Sequence, residues 1–165
     1  MDKILRYLSK NVPKYSGFIL QEYIPGFDKN NPEYRTFFIN GVYMYTMVTH
    51  SRTNGIQPVQ EGGPFKMNNK EYSYLRVLSQ KVMDSLSKLD LPNILKNPIL
   101  TRIDIGSGLE GSPYGLFINE VEFVPSLYIE EIDLKKFPVL QTIGATLVGV
   151  AEEYSHRKLP IKTIF

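Results

Sequence analysis

The sequence has 165 residues, of which 42% are hydrophobic and 22% are charged, a composition typical of a globular domain with its own core. Its net charge of +2 is too balanced to indicate a general binder of nucleic acid or of membrane surfaces. The lack of cysteine excludes disulfide bonds, thiolate nucleophiles and cysteine-based zinc sites. No secretory signal is visible, so we expect one cytoplasmic domain over residues 1–165 with neither a nucleic-acid nor a membrane partner.

The first predicted elements are a short helix and a strand. Apolar residues at helical spacing predict a helix over residues 4–10, which Pro13 prevents from continuing. The segment FILQEYI at 18–24 has the composition of a strand. The glycine, asparagine and proline residues of the following GFDKNNP are typical of a loop.

A hairpin is predicted next. The runs YRTFFI and VYMYTMVT are rich in β-branched and aromatic residues, and they flank Asn40 and Gly41. Asn-Gly is the dipeptide that best accepts the positive φ angles of a type I′ turn. The pattern therefore predicts two adjacent antiparallel strands.

A long loop is predicted after the hairpin. Residues 50–65 have no periodicity and contain several glycines and prolines. Glycines beside basic side chains can let a backbone approach a phosphate, although most glycine-rich loops have no such role. The residues in question are His50, Arg52, Gly62 and Gly63.

The remainder of the chain predicts two helices and two strands. A helix over residues 69–89 is predicted by one apolar stripe, formed by Leu75, Leu78, Val82 and Leu86. Strands are predicted at 99–105 and 115–123, and Pro138 can begin the last helix, within a C-terminal region of residues 127–165. Five strands, often in adjacent hairpins, and about three helices indicate an α+β domain with a mainly antiparallel sheet.

Four charged residues stand out in the last two predicted strands. Alternate side chains of a strand share a face, so Arg102 and Asp104 point the same way, as do Glu120 and Glu122 beside Ile118. If the strands pair, three carboxylates converge and need a compensating cation, for which Mg²⁺ is well suited. The alternative is a solvated sheet face on which Arg102 is a salt-bridge partner.

The order FILQEYI, PEYRTFFING, LTRIDI and FINEVEFVPS resembles the C-terminal half of the ATP-grasp fold, a family of carboxylate–amine and carboxylate–thiol ligases. The resemblance covers residues 17–126. It implies that a hinge segment lines an adenine pocket, with Gln21, Glu22, Tyr23 and Ile24. It also implies contacts of Glu33 and Arg35 to ribose, phosphate or the acyl substrate.

The resemblance further implies a magnesium site. The R-x-D strand of the family is matched by Arg102, which would stabilise the transferred phosphate, and by Asp104, which would bind Mg²⁺. The E-x-N signature followed by proline is matched by Glu120, Glu122 and Pro125. Glu122 stands where asparagine is usual, and its extra negative charge is expected to change the affinity for metal or the number of ions.

From the resemblance we expect the Mg-ATP-binding half of a ligase that joins a small-molecule carboxylate to an amine or thiol through an acyl phosphate. The other half of the fold, with two lysines and a glycine-rich lid, would come from the full-length protein or from a partner chain. The alternative is a reduced, non-catalytic ATP-grasp-like domain that binds a protein partner. A third possibility is a nucleic-acid binder that uses Lys158 and Lys162 in the basic tail HRKLPIK.

Overall fold

The computed structural model describes residues 2–15, 17, 19, 21–28, 31–49, 56–58, 68–90, 98–128, 135 and 137–156. Five strands form one antiparallel sheet in the order β3-β2-β1-β4-β5. The strands are β1 (Glu33–Ile39), β2 (Val42–Thr49), β3 (Ile56–Pro58), β4 (Leu100–Gly106) and β5 (Phe117–Glu122). The helices are α1 (Asp2–Asn11), α2 (Pro25–Asp28), α3 (Asn69–Leu86) and α4 (Val139–His156), with 3-10 turns at Val12–Lys14 and Pro113–Gly115. The predicted α+β class with a mainly antiparallel sheet is confirmed.

The central hairpin forms where the sequence predicts it. Asn40 and Gly41 have φ angles of 48° and 75°, and positive values at both positions are what a type I′ turn requires. The Asn40 N–H also donates to the carbonyl oxygen of Ile99 at 2.9 Å, which ties the turn to the start of β4. The hairpin thereby supplies the two middle strands to which β3 and β4 are added.

The fifth strand is a different segment from the one predicted. Residues 21–24 have no regular secondary structure, whereas Ile56–Pro58, inside the predicted loop 50–65, pairs with β2. A three-residue strand gives almost no periodicity, and its proline is tolerated because the strand lies at the edge of the sheet. Whether a segment of strand-like composition such as 18–24 joins a sheet depends on its tertiary neighbours rather than on composition alone.

One face of the sheet is covered by α3. The side chain of Asn68 caps this helix by accepting from the Glu71 N–H at 2.9 Å. The core on this face joins buried residues of the strands and Leu116, which precedes β5, to buried residues of α3. They are Tyr34, Phe38, Val48, Ile103, Ile105 and Leu116 with Leu75, Met83 and Leu86. The predicted helical stripe therefore packs on the sheet, although the helix ends at Leu86 rather than at residue 89.

Among the described residues, the start of α4 and the side chains of Leu127, Tyr128 and Phe137 cover part of the opposite face. This helix begins at Val139, directly after Pro138 as predicted, and Val139 is fully buried. Its neighbours in the second core cluster are Phe37, Ile39, Tyr45 and Met47 of the hairpin. The part of this face towards β4 and β5 carries charged side chains instead.

None of the helices in the described ranges has the length and apolar character of a membrane span.

Candidate functional site

A row of charged side chains crosses three strands on the face that carries α4. Arg35 of β1 and Glu120 of β5 both lie directly opposite Asp104 of β4. Glu122 lies opposite Arg102 in the same way. Because directly opposed residues share a face, the sheet brings together all five residues that the sequence analysis assigned to catalysis or metal binding. We refer to these five residues as the charged row.

Arg102 is the centre of an ion-pair network. Its Nε and Nη2 atoms donate to Oδ1 and Oδ2 of Asp104, each at 2.7 Å, and Nη2 also lies 2.5 Å from Oε2 of Glu122. Arg102 is 7% exposed and Asp104 is 2% exposed. Removing one partner of such a buried pair costs about 3–5 kcal/mol, because the other charge is left uncompensated. In this conformation Arg102 is the salt-bridge partner that the sequence analysis left open as an alternative.

The network keeps Arg102 charged. Burial alone would lower the pKa of the Arg102 guanidinium, because desolvation disfavours the charged form. The hydrogen bonds to Asp104 and the negative charges of Asp104 and Glu122 act in the opposite direction, and the net effect raises the pKa. Arg102 is therefore a permanent positive charge within the charged row.

Arg35 is held from several sides but remains accessible. Its Nε and Nη2 atoms donate to Oε2 of Glu33 at 3.2 and 3.1 Å, and Nη1 donates to the hydroxyl of Tyr128. The guanidinium also lies 5.7 Å from the ring centroid of Tyr128, within the range of a cation–π contact. Nε is 4.0 Å from Oδ2 of Asp104, and the Arg35 side chain is 23% exposed. Arg35 can thus meet a ligand that arrives from solvent.

Glu33 connects Arg35 to β5 through Asn119. Oε1 of Glu33 accepts from Nδ2 of Asn119 at 2.9 Å, while Oε2 accepts from Arg35. Asn119 lies at a β-bulge, since Glu120 pairs with Asp104 and Ile118 pairs with Ile105. The extra residue in β5 allows the amide of Asn119 to reach Glu33.

The bulge overturns one expectation about the same strand. Ile118 was expected to share the face of Glu120 and Glu122. It pairs instead with Ile105, which is buried in the core on the α3 side of the sheet. Strict alternation ends at the bulge, so Ile118 provides no apolar surround for the two glutamates.

A cleft of about 450 Å³ adjoins the charged row at the β5 edge of the sheet. The four residues predicted to line an adenine pocket form one wall, and residues of α2 and β5 complete the lining: Gln21, Glu22, Tyr23, Ile24, Phe27, Phe117, Ile118 and Asn119. Asn119 therefore belongs both to the cleft and to the network around Glu33. Apolar and aromatic side chains together with a few polar ones, here Gln21, Glu22 and Asn119, are the usual lining of a small-molecule site.

The wall of the cleft is positioned by a close contact between two glycines. A Cβ atom on Gly26 would lie 2.2 Å from the carbonyl oxygen of Gly108, so no side chain fits at this position. Asn31 donates to the carbonyl oxygen of Gly26, and the rings of Phe27 and Phe117 meet edge to face at 5.4 Å. These contacts hold the turn α2, and with it the segment 21–24, beside β5.

The predicted metal ligands have the chemistry that a divalent cation requires, but two of them now bind Arg102. Carboxylate oxygens are the ligands that Mg²⁺ prefers. Asp104 and Glu122 both contact Nη2 of Arg102, whereas Glu120 is exposed. In the ranges that the structure describes, no three acidic or histidine side chains are arranged around a common point as a metal site requires. Arg102 is the cation that now lies between two of the predicted ligands.

Two residues of the site were missed by the sequence analysis, Asn119 and Tyr128. In a regular strand, Asn119 would point away from the charged row. The one feature of the sequence that could have indicated its role is a polar residue within an otherwise apolar run. Tyr128 reaches Arg35 because the chain after β5 returns over the hairpin of β1 and β2, where Tyr45 of β2 donates to the carbonyl oxygen of Leu127. Tyr128 also has a positive φ of 49°, which non-glycine residues seldom adopt.

The remaining predicted site residues lie outside the residues that the structure describes, so their assignments stay predictions. They are His50, Arg52, Gly62 and Gly63 in the loop and Lys158 and Lys162 near the C-terminus. A groove of about 470 Å³ between α3 and Tyr114 contains none of the residues predicted for the site.

The fold is similar to that of two solved ATP-grasp enzymes. A D-alanine–D-alanine ligase from Bacillus anthracis, solved in complex with ATP, matches 92% of this chain with a TM-score of 0.61 and 14% sequence identity. A D-cycloserine synthetase matches 88% with a TM-score of 0.55 and 20% identity. The resemblance predicted from the sequence is confirmed at the level of the fold.

The match covers about half of the similar proteins. The chain spans 47% of the length of the D-alanine–D-alanine ligase and 48% of that of the D-cycloserine synthetase. No family model matches the sequence, and a search of curated proteins finds no match. The similarity to these enzymes thus lies in the three-dimensional arrangement of the helices and strands.

Proposed function

We propose that the chain is the Mg-ATP-binding half of an ATP-dependent ligase that joins a carboxylate to an amine or a thiol through an acyl phosphate. The observation that supports this function best is the adjacency of the cleft and the charged row. Asn119 lines the cleft and donates to Glu33, which in turn accepts from Arg35 of the charged row. A nucleotide needs such a combination, because its base is flat and largely apolar while its phosphates are anionic. The solved ligase with ATP supports the nucleotide as the ligand.

In this proposal the adenine lies in the cleft, against Gln21, Glu22, Tyr23 and Ile24. The ribose lies near Glu33, whose carboxylate is already fixed by Asn119 and Arg35. The phosphates then extend along β5 towards the two arginines. Guanidinium groups bind phosphate oxygens through two parallel hydrogen bonds, which both attract and orient them.

The chemistry requires charge stabilisation and positioning. A carboxylate oxygen of the substrate attacks the γ-phosphorus, the bond to the bridging oxygen breaks, and ADP leaves. The amine or thiol then attacks the carbonyl carbon of the acyl phosphate, the bond from that carbon to the phosphate oxygen breaks, and phosphate departs. The proton of the nucleophile passes to the departing phosphate or to water. Arg102 and Arg35 neutralise the negative charge that builds up on the transferred group. Asp104, Glu120 and Glu122 would hold Mg²⁺, which supplies further neutralisation of the phosphate oxygens when bound.

The proposal is tested by titrating the chain with Mg²⁺ and a non-hydrolysable ATP analogue in a calorimeter. The Ile118→Arg variant places a long side chain in the cleft and should weaken binding at least about tenfold, or ~1.4 kcal/mol. Ile118 is 36% exposed, so the variant is expected to fold. Val124→Arg is the matched control, because Val124 is 85% exposed and does not line the cleft.

Two results would contradict the proposed function. One is the absence of binding to the parent chain at millimolar analogue. The other is an equal loss of affinity in Ile118→Arg and Val124→Arg, since that would place the ligand outside the cleft.

A second candidate function, binding of a protein partner, is favoured by exposed apolar side chains on α4. All three of these side chains lie on the long helix α4. Leu140 and Leu147 are each 50% exposed, and Val148 is 58% exposed. This candidate predicts that the chain associates with itself or binds a hydrophobic dye. The double variant Leu147→Lys/Val148→Lys should abolish both effects. A monodisperse monomer without dye binding, measured by light scattering and fluorescence, would refute it.

A further inference from the structure

We propose that Arg102 and a divalent cation compete for Asp104 and Glu122, so that the chain takes up the cation only when a polyphosphate provides new partners for Arg102. This inference rests on the proposed function and deepens it, because it specifies how the two components of Mg-ATP depend on each other in one site.

The competition follows from the positions of three groups. Nη2 of Arg102 lies 2.7 Å from Oδ2 of Asp104 and 2.5 Å from Oε2 of Glu122. Divalent cations hold their oxygen ligands at about 2.0–2.6 Å. One nitrogen atom therefore occupies nearly the position that an ion bridging these two carboxylates would need. A guanidinium and a metal ion cannot both lie there.

The burial of the pair makes displacement by a free cation unfavourable. Asp104 is 2% exposed and directs both of its oxygens at Arg102, in the two parallel hydrogen bonds that are strongest for this pair of groups. Arg102 is 7% exposed, so a cation that displaced it would leave a guanidinium that water reaches poorly. A free ion therefore binds only by breaking the pair without replacing the partners of Arg102.

A polyphosphate changes this balance because it supplies acceptor oxygens. The guanidinium fork matches phosphate as well as carboxylate, so Arg102 can exchange Asp104 for a phosphate group without losing its hydrogen bonds. Arg35 remains 4.0 Å from Oδ2 of Asp104 and keeps one positive charge near that carboxylate during the exchange. Glu120, exposed and opposite Asp104, can then join the freed carboxylates as a ligand.

The test uses Mn²⁺, whose binding to carboxylates can be followed directly by electron paramagnetic resonance. The parent chain alone should bind no Mn²⁺ at 1 mM or below, about the weakest binding such a titration resolves. The Arg102→Met variant should bind Mn²⁺ alone at least tenfold more tightly than this limit. With the non-hydrolysable ATP analogue, Mn²⁺ and the nucleotide should strengthen each other in the parent and lose that coupling in Arg102→Met.

The matched control is Arg76→Met, because Arg76 lies over the ring of Tyr43 on the α3 side, with its Cζ 4.6 Å from the centroid. It should leave Mn²⁺ binding unchanged. If Arg102→Met does not fold, Arg102→Lys takes its place, since it keeps the charge but loses the fork to Asp104; it should bind Mn²⁺ more tightly than the parent.

Each outcome separates the inference from the proposed function. The inference is overturned if the parent binds Mn²⁺ alone as tightly as the Arg102 variant, or if neither binds it; nucleotide binding in the cleft would stand in both cases. A gain of Mn²⁺ binding in the Arg102 variant, without nucleotide binding by any form, supports the competition and contradicts the proposed function.

Discussion

Arg35 and Arg102 are the same residue type in two different environments. Arg102 is nearly buried and both of its neighbouring carboxylates are engaged, whereas the side chain of Arg35 is 23% exposed. An incoming anion can meet Arg35 without the loss of a buried pair. The alternation of β4 was enough to predict that Arg102 and Asp104 share a face. It could not indicate that the two residues bind each other, because rotamers are decided by neighbouring strands.

At this scale the Tyr128→Phe variant tests how Arg35 is held. The change removes the hydroxyl that accepts from Nη1 of Arg35 but keeps the ring beside the guanidinium and Phe37. We expect the free energy of unfolding to fall by only about 1 kcal/mol, the usual net value of one hydrogen bond. Affinity for the ATP analogue, measured by calorimetry, should fall by roughly threefold to tenfold, because Arg35 becomes less fixed.

Tyr114→Phe is the control for this prediction, since Tyr114 is 48% exposed and lies in the groove beside α3. Equal effects of the two substitutions on affinity would show that the Tyr128 hydroxyl has no special role.

At the scale of elements, the cleft depends on two irregular features, the turn α2 and the bulge in β5. Neither could be predicted from periodicity. The segment 21–24 has the composition of a strand, yet the contact of Gly26 with Gly108 holds it beside β5 as a wall of the cleft without regular secondary structure. The bulge at Asn119 changes which side chains face the charged row. The hairpin around Asn40, by contrast, was predictable because its turn is specified by two adjacent residues.

The glycine contact is tested by comparing Gly108→Ala with Gly111→Ala. Both glycines have positive φ, 99° and 82°, so each substitution costs about 1–2 kcal/mol of backbone strain. A Cβ atom on Gly108 would also lie 2.6 Å from the carbonyl carbon of Gly26, whereas Gly111 has open space. We expect chemical denaturation to show about 2 kcal/mol more destabilisation for Gly108→Ala.

Gly108→Ala should also weaken nucleotide binding, because Gly26 and the wall of the cleft must shift to admit the new methyl group. If the two alanine variants have the same stability and the same affinity, the contact does not position the wall.

At the scale of the whole molecule, the two faces of the sheet have different tasks. The α3 face is a closed core, and the other face combines a smaller core under α4 with the charged row. The class of fold followed from the strand pattern, as did the shared face of Arg102 and Asp104 and that of Glu120 and Glu122. The cleft, the edge strand Ile56–Pro58 and the place of Tyr128 did not, because each depends on contacts between segments far apart in the chain.

This division predicts that stability and binding can be changed separately. Leu75→Ala empties a fully buried position under α3 and should lower the free energy of unfolding by about 2–5 kcal/mol. Affinity for the ATP analogue, measured where the variant is still folded, should be unchanged. Val77→Ala, at a position that is 50% exposed, should alter the unfolding free energy by about 0.5 kcal/mol or less. A large loss of affinity in folded Leu75→Ala would contradict the separation.

The central claim, a nucleotide held between the cleft and the charged row, is tested most directly by mapping the binding site by NMR. Amide chemical shifts of the chain would be followed during a titration with Mg²⁺ and the non-hydrolysable ATP analogue. We predict that the largest changes occur in Gln21–Ile24, in Phe117–Asn119 and around Arg102. Changes confined to the groove between α3 and Tyr114, or no changes at millimolar analogue, would contradict the claim.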